Sequence, residues 1–362
     1  MSELAASTAP PCLGVVLVTY NSAGIILDCL ESLLASTGVR LVLQVVDNAS
    51  TDGTPSVIRD WAAGRAAAPL ADLPFAVPLA PKPLPIALPQ AVPPSGHVLG
   101  LIETGENLGF AGGVNRGLAA LAIMSEVDRF WILNPDTVVP PGSAHAFATH
   151  PEPAGGFSLM GGRVLYLDRP DMIQIDGGTI NRWTGITNNL SLFASHAATP
   201  PPDAATMDFI TGASMVASRR FCEVAGPMAE DYFLYYEEVD WALRRGALPL
   251  LYCPGGLVYH RAGTAIGSAT ANRLASPFAL WFKNRARMMF MRRHFPLGIV
   301  TAWAWTIGKV GQYLVKGYHS GAAALLAGAA GRPPPAAVRQ VLSATVLTRL
   351  GLWPYSDHGG RR

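Results

Sequence analysis

The stretch Phe130-Trp131-Ile132-Leu133-Asn134-Pro135-Asp136 joins a short apolar run to an acidic side chain, and it decides how the rest of the chain is interpreted. The apolar run predicts a buried strand, and Asn-Pro-Asp predicts a turn at its carboxyl end. Open α/β sheets bind ligands just beyond such strand ends. An aspartate placed there can hold a divalent cation against a diphosphate, because hard cations take carboxylate and phosphate oxygens as ligands.

The residues before this stretch repeat a pattern of apolar run, polar loop and helix. Residues 13–19 and 41–46 are apolar almost throughout and predict central parallel strands. Small polar residues at 47–54 predict a loop that leads into a helix near residues 55–63. Strand, helix and strand in this order imply right-handed crossovers. The predicted fold class is therefore α/β, with a Rossmann-like mixed sheet flanked by helices and a C-terminal helical extension.

Further elements are predicted on both sides of the opening stretch. Residues 66–96 contain nine prolines and few charges, which indicates an extended surface insertion rather than a strand. Strands are predicted at 97–102, 159–167, 172–180 and 209–216, with a strand pair at 248–259. Helices are predicted up to about residue 124 and at 239–245 and 274–294.

Charge is distributed unevenly along the 362 residues. Residues 283–362 carry twelve Lys and Arg against one acidic residue, whereas the preceding 282 residues carry 15 basic and 24 acidic side chains. A basic, apolar tail predicts attraction to anionic lipid or phosphate, and a merely solvated tail is the alternative. No recognition motif accompanies the positive charge, so we expect no nucleic-acid partner.

The apolar residues 297–314 predict a helix whose setting the sequence leaves open. Lys309 interrupts the run, so a membrane-spanning helix is not expected. The aromatic residues and flanking cations favour a helix that lies on a bilayer surface, and packing against the body is the alternative. Four cysteines without metal-ligand spacing indicate a reducing compartment. The N-terminus lacks the pattern of a cleaved secretory signal.

A second set of ionisable residues lies about a hundred positions after Asp136. Glu237, Glu238 and Asp240 bring three carboxylates within four positions, and His260 follows a β-like run. Neighbouring like charges raise carboxylate pKa values, which suits a general base that works near neutral pH. A charged helix start, stabilised by the helix dipole, is the alternative for Glu237.

Seven motifs together carry a resemblance to a known family. They are VVLVTYNS (15–22), VVDNASTDGT (45–54), ENLGFAGGVNRG (106–117), WILNPDT (131–137), FITGASM (209–215), YFLYYEEVDWALRR (232–245) and YH (259–260). This set, colinear over residues 13–294, resembles family 2 glycosyltransferases, in particular their rhamnosyltransferase-like bacterial members. The resemblance implies a GT-A fold, in which a Rossmann-like sheet that binds a nucleotide sugar continues into an acceptor half.

The resemblance implies a role for each matching residue. Nucleotide-sugar contacts are implied for the residues that leave the first strands and for the glycine-rich loop: Thr19, Tyr20, Asn21, Asp47, Asn48, Asp52, Asn107, Gly109, Asn115 and Asn134. The family's metal motif is commonly Asp-x-Asp, whereas the first position here is Asn134. Asp136 and the late His260 are then the implied ligands of Mg²⁺ or Mn²⁺.

The acceptor half follows by the same matching. Glu238 stands where the family often has an aspartate base, and Asp240 is the competing candidate, with Glu237 third. Acceptor contacts are implied for Asp176, Gly212 and Trp241, although Trp241 could equally be a core residue.

These observations predict an inverting glycosyltransferase. We expect it to move rhamnose from dTDP-rhamnose to a lipid-linked or polysaccharide acceptor of a bacterial surface glycan, at the cytoplasmic face of the inner membrane. A non-catalytic module that binds glycan or carrier lipid, and a nucleotidyltransferase, are the alternatives. The expected organisation is a flexible N-terminus (1–12), a glycosyltransferase domain (13–295) with the proline-rich insertion at 66–96, and a basic apolar tail (296–362) suited to membrane association.

Overall fold

The computed structural model describes residues 10–70, 73–87, 96–261, 274–340, 342 and 344–352. The strands are β1 Cys12–Thr19, β2 Arg40–Asp47, β3 Val98–Glu103, β4 Arg129–Leu133, β5 Thr137–Val138, β6 Leu159–Tyr166, β7 Ile173–Ile175, β8 Gly178–Ile180, β9 Thr187–Asn189, β10 Ser214–Ser218 and β11 Leu251–His260. The α-helices are α1 Ile26–Leu34, α2 Thr54–Ala62, α3 Gly109–Ala122, α4 Ser143–Thr149, α5 Arg219–Ala225, α6 Glu237–Leu243, α7 Pro277–His294, α8 Ile299–Val315, α9 His319–Ala329, α10 Ala336–Arg339 and α11 Ala344–Arg349.

One large mixed sheet organises the molecule, with strand order β3-β2-β1-β4-β10-β6-β11-β5 and β7 paired to β6. Strands β3, β2, β1 and β4 are parallel, whereas β10 runs antiparallel to both β4 and β6. The carboxyl ends of the four parallel strands therefore meet at one edge, where ligands bind in such sheets. The predicted α/β fold class, with a mixed sheet flanked by helices and a C-terminal helical extension, is confirmed.

Apolar side chains fill both faces of this sheet. Successive residues of a strand point to opposite faces. Val16 of β1 accordingly joins the core under α3, whereas Val15 and Leu17 join the core under α1 and α2. Because β1 and β2 are covered on both faces, they contain the unbroken apolar runs that identified them in the sequence.

Three predicted strands differ from the observed ones. Residues 172–180 form two short strands rather than one, because the chain breaks at Gly177, where φ is +155°. Residues 248–259 form a single strand with a register shift between Tyr252 and Leu257, rather than a strand pair. Residues 209–213 form a loop before β10.

The described part of the proline-rich insertion lies against α1 and α2. Lys82 pairs with the buried Glu31 at 2.9 Å and lies 4.2 Å from the centroid of the Trp61 ring. Ile86 forms an isolated parallel bridge with Leu99 at the edge of β3. The segment is extended, as predicted, and it covers the outer strand of the sheet.

Described residues after Pro296 form helices that pack on α7. Trp281 and Phe282 of α7 share a buried cluster with Tyr313 of α8 and Leu325 of α9. In the described part of the chain, no helix has both the length and the apolarity needed to cross a bilayer. The tail therefore packs on the body, and its helix α8 keeps one face exposed.

Candidate active site

The ends of β1 and β2 place three buried oxygen atoms side by side. Thr19 pairs with Asp47 across the two strands, and the backbone N–H of Asn48 donates to the Thr19 carbonyl at 2.8 Å. Thr19 Oγ1, Asp47 Oδ1 and Asn48 Oδ1 are buried, and none has a hydrogen-bond partner among the described residues. Buried polar atoms are nearly always paired, so these unpaired oxygens are candidate acceptors for an external donor.

The adjoining loop residues bond mainly to one another. Asn21 accepts a hydrogen bond from the Thr51 N–H at 2.8 Å, and its own N–H donates to Ser50 Oγ. Asp52 accepts from the N–H groups of Ala23 and Thr54. Burial acts in the opposite direction, but these hydrogen bonds lower the pKa of Asp52. The Asn21 and Asp52 side chains thus hold the loop together, whereas Tyr20 is exposed beside them.

The glycine-rich loop contacts both the end of β2 and the segment that precedes α6. Asn48 Nδ2 donates to the Gly109 carbonyl at 2.9 Å, and Asn107 accepts from the Gly109 N–H. Gly109 has φ +74°, and a Cβ there would lie 2.5 Å from the Phe233 carbonyl oxygen. Only glycine suits this position, because both the backbone conformation and the close approach exclude a side chain.

The side-chain amide of Asn115 is hydrogen-bonded to other protein groups and has a structural role. Its Nδ2 donates to the Met228 carbonyl and to Glu230, and its Oδ1 accepts from the Met228 N–H. With both ends of the amide engaged, the geometry does not support the expected contact with the donor.

Asp136 and His260 lie together where β5 pairs with β11. His260 Nε2 is 3.1 Å from Asp136 Oδ1 and 3.4 Å from Asn134 Nδ2. The other ring nitrogen, Nδ1, is 2.9 Å from Gln174 Oε1, which can only accept and so holds the ring hydrogen at Nδ1. In the neutral ring, Nε2 then turns a lone pair toward the carboxylate; in the protonated ring, the same contact is an ion pair.

This donor set fits a divalent cation with an incomplete protein shell. One carboxylate oxygen and one imidazole nitrogen converge, and Asn134 adds an amide. No group of three or more His, Cys, Asp or Glu side chains placed to hold a metal occurs in the described ranges. Cations that bind nucleotides commonly use one or two protein ligands and complete their shell with phosphate and water. An imidazole ligand favours Mn²⁺ over Mg²⁺.

Short contacts link the Asp136 turn to the acidic helix α6. The Asn134 N–H donates to the Ala213 carbonyl at 3.0 Å. A Cβ built on the neighbouring Gly212 would lie 3.9 Å from the Glu238 Cβ and 3.4 Å from the Phe110 ring. Asp136 and Glu238 therefore belong to the same edge of the molecule, connected through residues 212–213.

Glu237 and Glu238 both have unusual environments. Burial raises the pKa of Glu238, whereas Lys283 acts in the opposite direction. Burial, followed by the charge of Glu238, raises the pKa of Glu237 well above its usual range, and Glu237 Oε2 has no hydrogen-bond partner among the described residues. Glu237 is buried, whereas Glu238 is partly exposed and can meet a ligand.

The segment that presents these residues is conformationally strained. Phe233, Tyr235 and Tyr236 all have φ near +70°, which is uncommon for residues with a side chain. Such conformations persist only where the surroundings impose them, and they cluster at functional sites. The Phe233 carbonyl is fixed by the Phe110 N–H, and the Tyr236 hydroxyl donates to the Gly185 carbonyl.

Asp240 is occupied by a buried network and is only 1% exposed. Its carboxylate lies 2.7 Å from His294 Nε2, and it accepts from Arg244 at 2.9 Å and from the Tyr232 hydroxyl at 3.2 Å. Burial alone would raise its pKa, but the hydrogen bond with His294 and the charge of Arg244 lower it. A carboxylate held in this way is a weak base without access to an acceptor.

Two of the three expected acceptor residues are not available to a ligand. Asp176 is buried in a bidentate pair with Arg163 at 2.8 and 2.9 Å, and it also accepts from the Tyr252 hydroxyl. Trp241 is fully buried against Phe221, so neither face of its ring can stack on a sugar. Gly212 alone remains in an accessible position, beside Glu238.

Sequence reasoning missed two residues that shape the site. Gln174 orients His260, but nothing in its strand-like surroundings distinguishes it. Lys283 is exposed to solvent on α7 and lies within electrostatic range of Glu238. Its charge within the apolar run PFALWFKN is a signal that the sequence did offer.

Comparisons with known proteins agree with these observations. The model of the family described as "Glycosyl transferase family 2" matches residues 14–69. The N-acetylglucosaminyl-diphospho-decaprenol L-rhamnosyltransferase of Mycobacterium tuberculosis, in strains CDC 1551 / Oshkosh and ATCC 25618 / H37Rv, is 26% identical over 289 residues, which cover 73% of this chain and 80% of the relative.

Solved structures of glycosyltransferases also show similarity. The mannosyltransferase PcManGT from Pyrobaculum calidifontis, in complex with GDP-Man and Mn²⁺, is 17% identical with a TM-score of 0.46, covering 96% of this chain and 84% of that chain. GalNAc-T7 with UDP, GalNAc and Mn²⁺ is 11% identical with a TM-score of 0.46, covering 79% and 48%. Similarity of this size carries no conclusion about the present site.

The family match over residues 14–69 and the mycobacterial relatives support a glycosyltransferase similar to those of family 2. Among these, it is similar to a rhamnosyltransferase. The expected enzyme class is confirmed, and the non-catalytic module and the nucleotidyltransferase are set aside.

Proposed function

We propose that this glycosyltransferase moves a sugar, rhamnose from dTDP-rhamnose in the first instance, to a lipid-linked or polysaccharide acceptor with inversion at the anomeric carbon. The support for this donor and acceptor is the similarity to relatives named as L-rhamnosyltransferases that act on a decaprenyl-diphosphate-linked sugar. We also propose that it works at the cytoplasmic face of a membrane, as part of surface-glycan synthesis. The division into a glycosyltransferase domain up to residue 295 and a tail remains part of this proposal.

The nucleoside would occupy the edge formed by β1 and β2. Asp47 Oδ1 and Thr19 Oγ1 are free to accept hydrogen bonds from base N–H groups or ribose hydroxyls. Their burial makes such bonds valuable, because unpaired buried acceptors are costly and a ligand that pairs them recovers that cost. Asn48 and the Gly109 loop would then lie beside the sugar-phosphate part of the donor.

Asp136 Oδ1 and His260 Nε2 would hold Mg²⁺ or Mn²⁺. Gln174 keeps the imidazole in the tautomer that leaves Nε2 available. When bound, the ion would supply charge stabilisation for the departing nucleoside diphosphate. Asn134 would contribute its amide to ribose or to a bound water rather than a second charge.

Glu238 would be the general base. The acceptor hydroxyl oxygen bonds to the anomeric carbon as the bond from that carbon to the diphosphate oxygen breaks, and the hydroxyl proton passes to the Glu238 carboxylate. Burial raises the pKa of Glu238 and so increases its proton affinity, whereas the charge of Lys283 acts in the opposite direction. Asp240 is the weaker candidate, because its oxygens are engaged with His294, Arg244 and Tyr232.

A single observation supports this proposal: the turn that holds Asp136 is hydrogen-bonded through Asn134 to Ala213, and the adjacent Gly212 faces Glu238. The test is a panel of nucleotide sugars, including dTDP-rhamnose, assayed with a lipid-diphosphate sugar acceptor and with analysis of both products. We expect a glycosylated acceptor, a released nucleoside diphosphate, and loss of both in Asp136→Ala. Release of pyrophosphate instead, or full transfer by Asp136→Ala, would overturn the proposal.

A further inference from the structure

Helix α8 presents an uncharged apolar face that no described part of the chain covers. Val300, Ile307 and Leu314 are exposed at 78, 63 and 47%, and Val315 at 90%. The sevenfold spacing of the first three places them on one side of the helix. Ala304, Gly308 and Gly311 lie between them and are also exposed. Exposed apolar surface in one continuous stripe marks an interaction site.

The outward orientation of this stripe is fixed by contacts on the other side of α8. Ala302, Thr306 and Tyr313 are buried against the body. Arg287 of α7 donates to Thr306 Oγ1 at 2.6 Å, and the Arg287 guanidinium stacks on Trp305. Because these contacts set the rotation of the helix, the stripe cannot turn inward without breaking them.

The stripe continues into the hairpin formed by β8 and β9. Thr301 Oγ1 donates to the carbonyl of Trp183 at the hairpin turn, and the Trp183 side chain is 62% exposed. Leu297, just before α8, is 89% exposed beside it. Gly185, in the same turn, accepts from the Tyr236 hydroxyl, which directly precedes Glu237 and Glu238. The apolar surface is thus separated from the proposed base by one hairpin.

We propose that this α8 surface, defined as Trp183, Leu297, Val300, Ile307, Leu314 and Val315, lies in the headgroup region of a bilayer that contains anionic lipid. Arg182, whose side chain is 69% exposed, adjoins Trp183, and the exposed Arg292 precedes α8. Residues 283–356 contain no Asp or Glu. A tryptophan and flanking cations around an apolar face are the features of a helix that lies in the interface.

The charge around the α8 surface favours a bilayer over a second copy of the chain as its partner. A symmetric dimer through this face would bring two basic flanks together, and like charges in contact oppose association. Anionic headgroups would neutralise the same cations. The choice of a bilayer also rests on the proposed function, since a lipid-linked acceptor presents its sugar at that surface.

Point variants test the surface better than truncation does. Removing residues after Pro296 would expose Trp281 and Phe282 of α7, so loss of binding could reflect unfolding. Ile307→Glu alters only an exposed position, and Ile123→Glu is a matched control because Ile123 is 57% exposed at the end of α3, away from the α8 surface. The full chain would be sedimented with phosphatidylcholine vesicles with and without phosphatidylglycerol, and its fold checked by circular dichroism.

We expect wild type and Ile123→Glu to bind vesicles that contain phosphatidylglycerol. Ile307→Glu should bind about tenfold or more weakly, because a side chain that enters the bilayer is replaced by a charged one. Arg182→Gln and Arg292→Gln should each weaken binding to the anionic vesicles about fivefold. Equal binding by Ile307→Glu and wild type would overturn the proposal. So would a wild-type dimer that Ile307→Glu dissociates without any change in vesicle binding.

Transfer to a water-soluble acceptor analogue separates this inference from the proposed function. Ile307→Glu should transfer to that analogue at the wild-type rate and lose rate only with a membrane-embedded acceptor. If wild type binds vesicles as expected but transfers no sugar, the proposed function fails and the α8 surface stands.

Discussion

The edge formed by β1 and β2 and the region around β6 and β7 bury polar side chains in opposite ways. Around β6 and β7, Asp176, Arg163 and Tyr252 satisfy one another in the interior. At the ends of β1 and β2, oxygens of Thr19 and Asp47 are just as buried but lack partners among the described residues. Burial of a polar group therefore does not by itself identify a ligand site; of these two regions, only the β1 and β2 ends offer unpaired acceptors to a ligand.

Substituting one aspartate in each region gives the clearest test of this difference. Asp176→Asn should lower the free energy of unfolding by about 3–5 kcal/mol, because Arg163 is left buried without a counter-charge. Asp47→Asn should lower it by about 1 kcal/mol yet weaken nucleoside diphosphate binding about tenfold or more. Urea unfolding and calorimetric titration measure the two quantities. Equal stability losses with unchanged affinity would show that the regions do not differ as described.

Within α6, Asp240 resembles Asp176, because other side chains pair its buried carboxylate. Asp240→Asn should lower the free energy of unfolding at neutral pH by about 1.5–3 kcal/mol, since His294 and Arg244 lose a charged partner. The native contacts hold the pKa of Asp240 below its ordinary value, so its stabilisation is present above the ordinary carboxylate range and is lost as pH falls through the lowered pKa. The difference from wild type should therefore shrink in acid, as followed by urea unfolding across pH. A difference that grows in acid would contradict this assignment.

Glu237 should show the opposite pH dependence. Its pKa is raised in the folded state, so wild-type stability falls as pH rises from the ordinary glutamate range toward the raised pKa. Glu237→Gln removes the ionisable group, so its melting temperature should match wild type in acid and exceed it at neutral pH. Thermal unfolding across this range is the measurement, and a pH-independent difference would count against a buried, unsatisfied carboxyl.

The smallest effect is expected at Lys283. Its charge lowers the pKa of Glu238, so Lys283→Met should move the acid limb of the pH–rate profile for transfer toward higher pH. Lys283→Arg keeps the charge and should restore the wild-type profile. If the two variants give the same profile, Lys283 contributes packing rather than charge.

The amino-acid pattern was sufficient for the first half of the fold. Strands β1, β2 and β4 were located to within about one residue, because strands covered on both faces contain unbroken apolar runs. The pattern failed for residues 248–259, where glycines that suggested a turn lie at a register shift within one strand. A glycine permits either outcome, and only the pairing with β6 distinguishes them.

The positions of some site residues follow from the sequence, whereas the roles of others depend on tertiary contacts. The positions of Thr19, Asp47 and Asp136 follow from strand ends, which local sequence reveals. The partners of Asp176 and Asp240 lie at Arg163 and His294, and such pairs are set by tertiary packing rather than by spacing. The same limit applies to Trp241, whose aromatic ring could serve a sugar or a core until its neighbours are known.

The most direct test compares two carboxylates of one helix, Glu238 and Asp240, by single-turnover sugar transfer. Glu238→Gln should transfer about 10²–10⁴-fold more slowly than wild type, the usual contribution of a general base. Its affinity for the nucleoside diphosphate and its melting temperature should stay near the wild-type values. Asp240→Asn should be less stable yet transfer at a rate close to wild type where it is folded. A wild-type rate for Glu238→Gln would contradict the account.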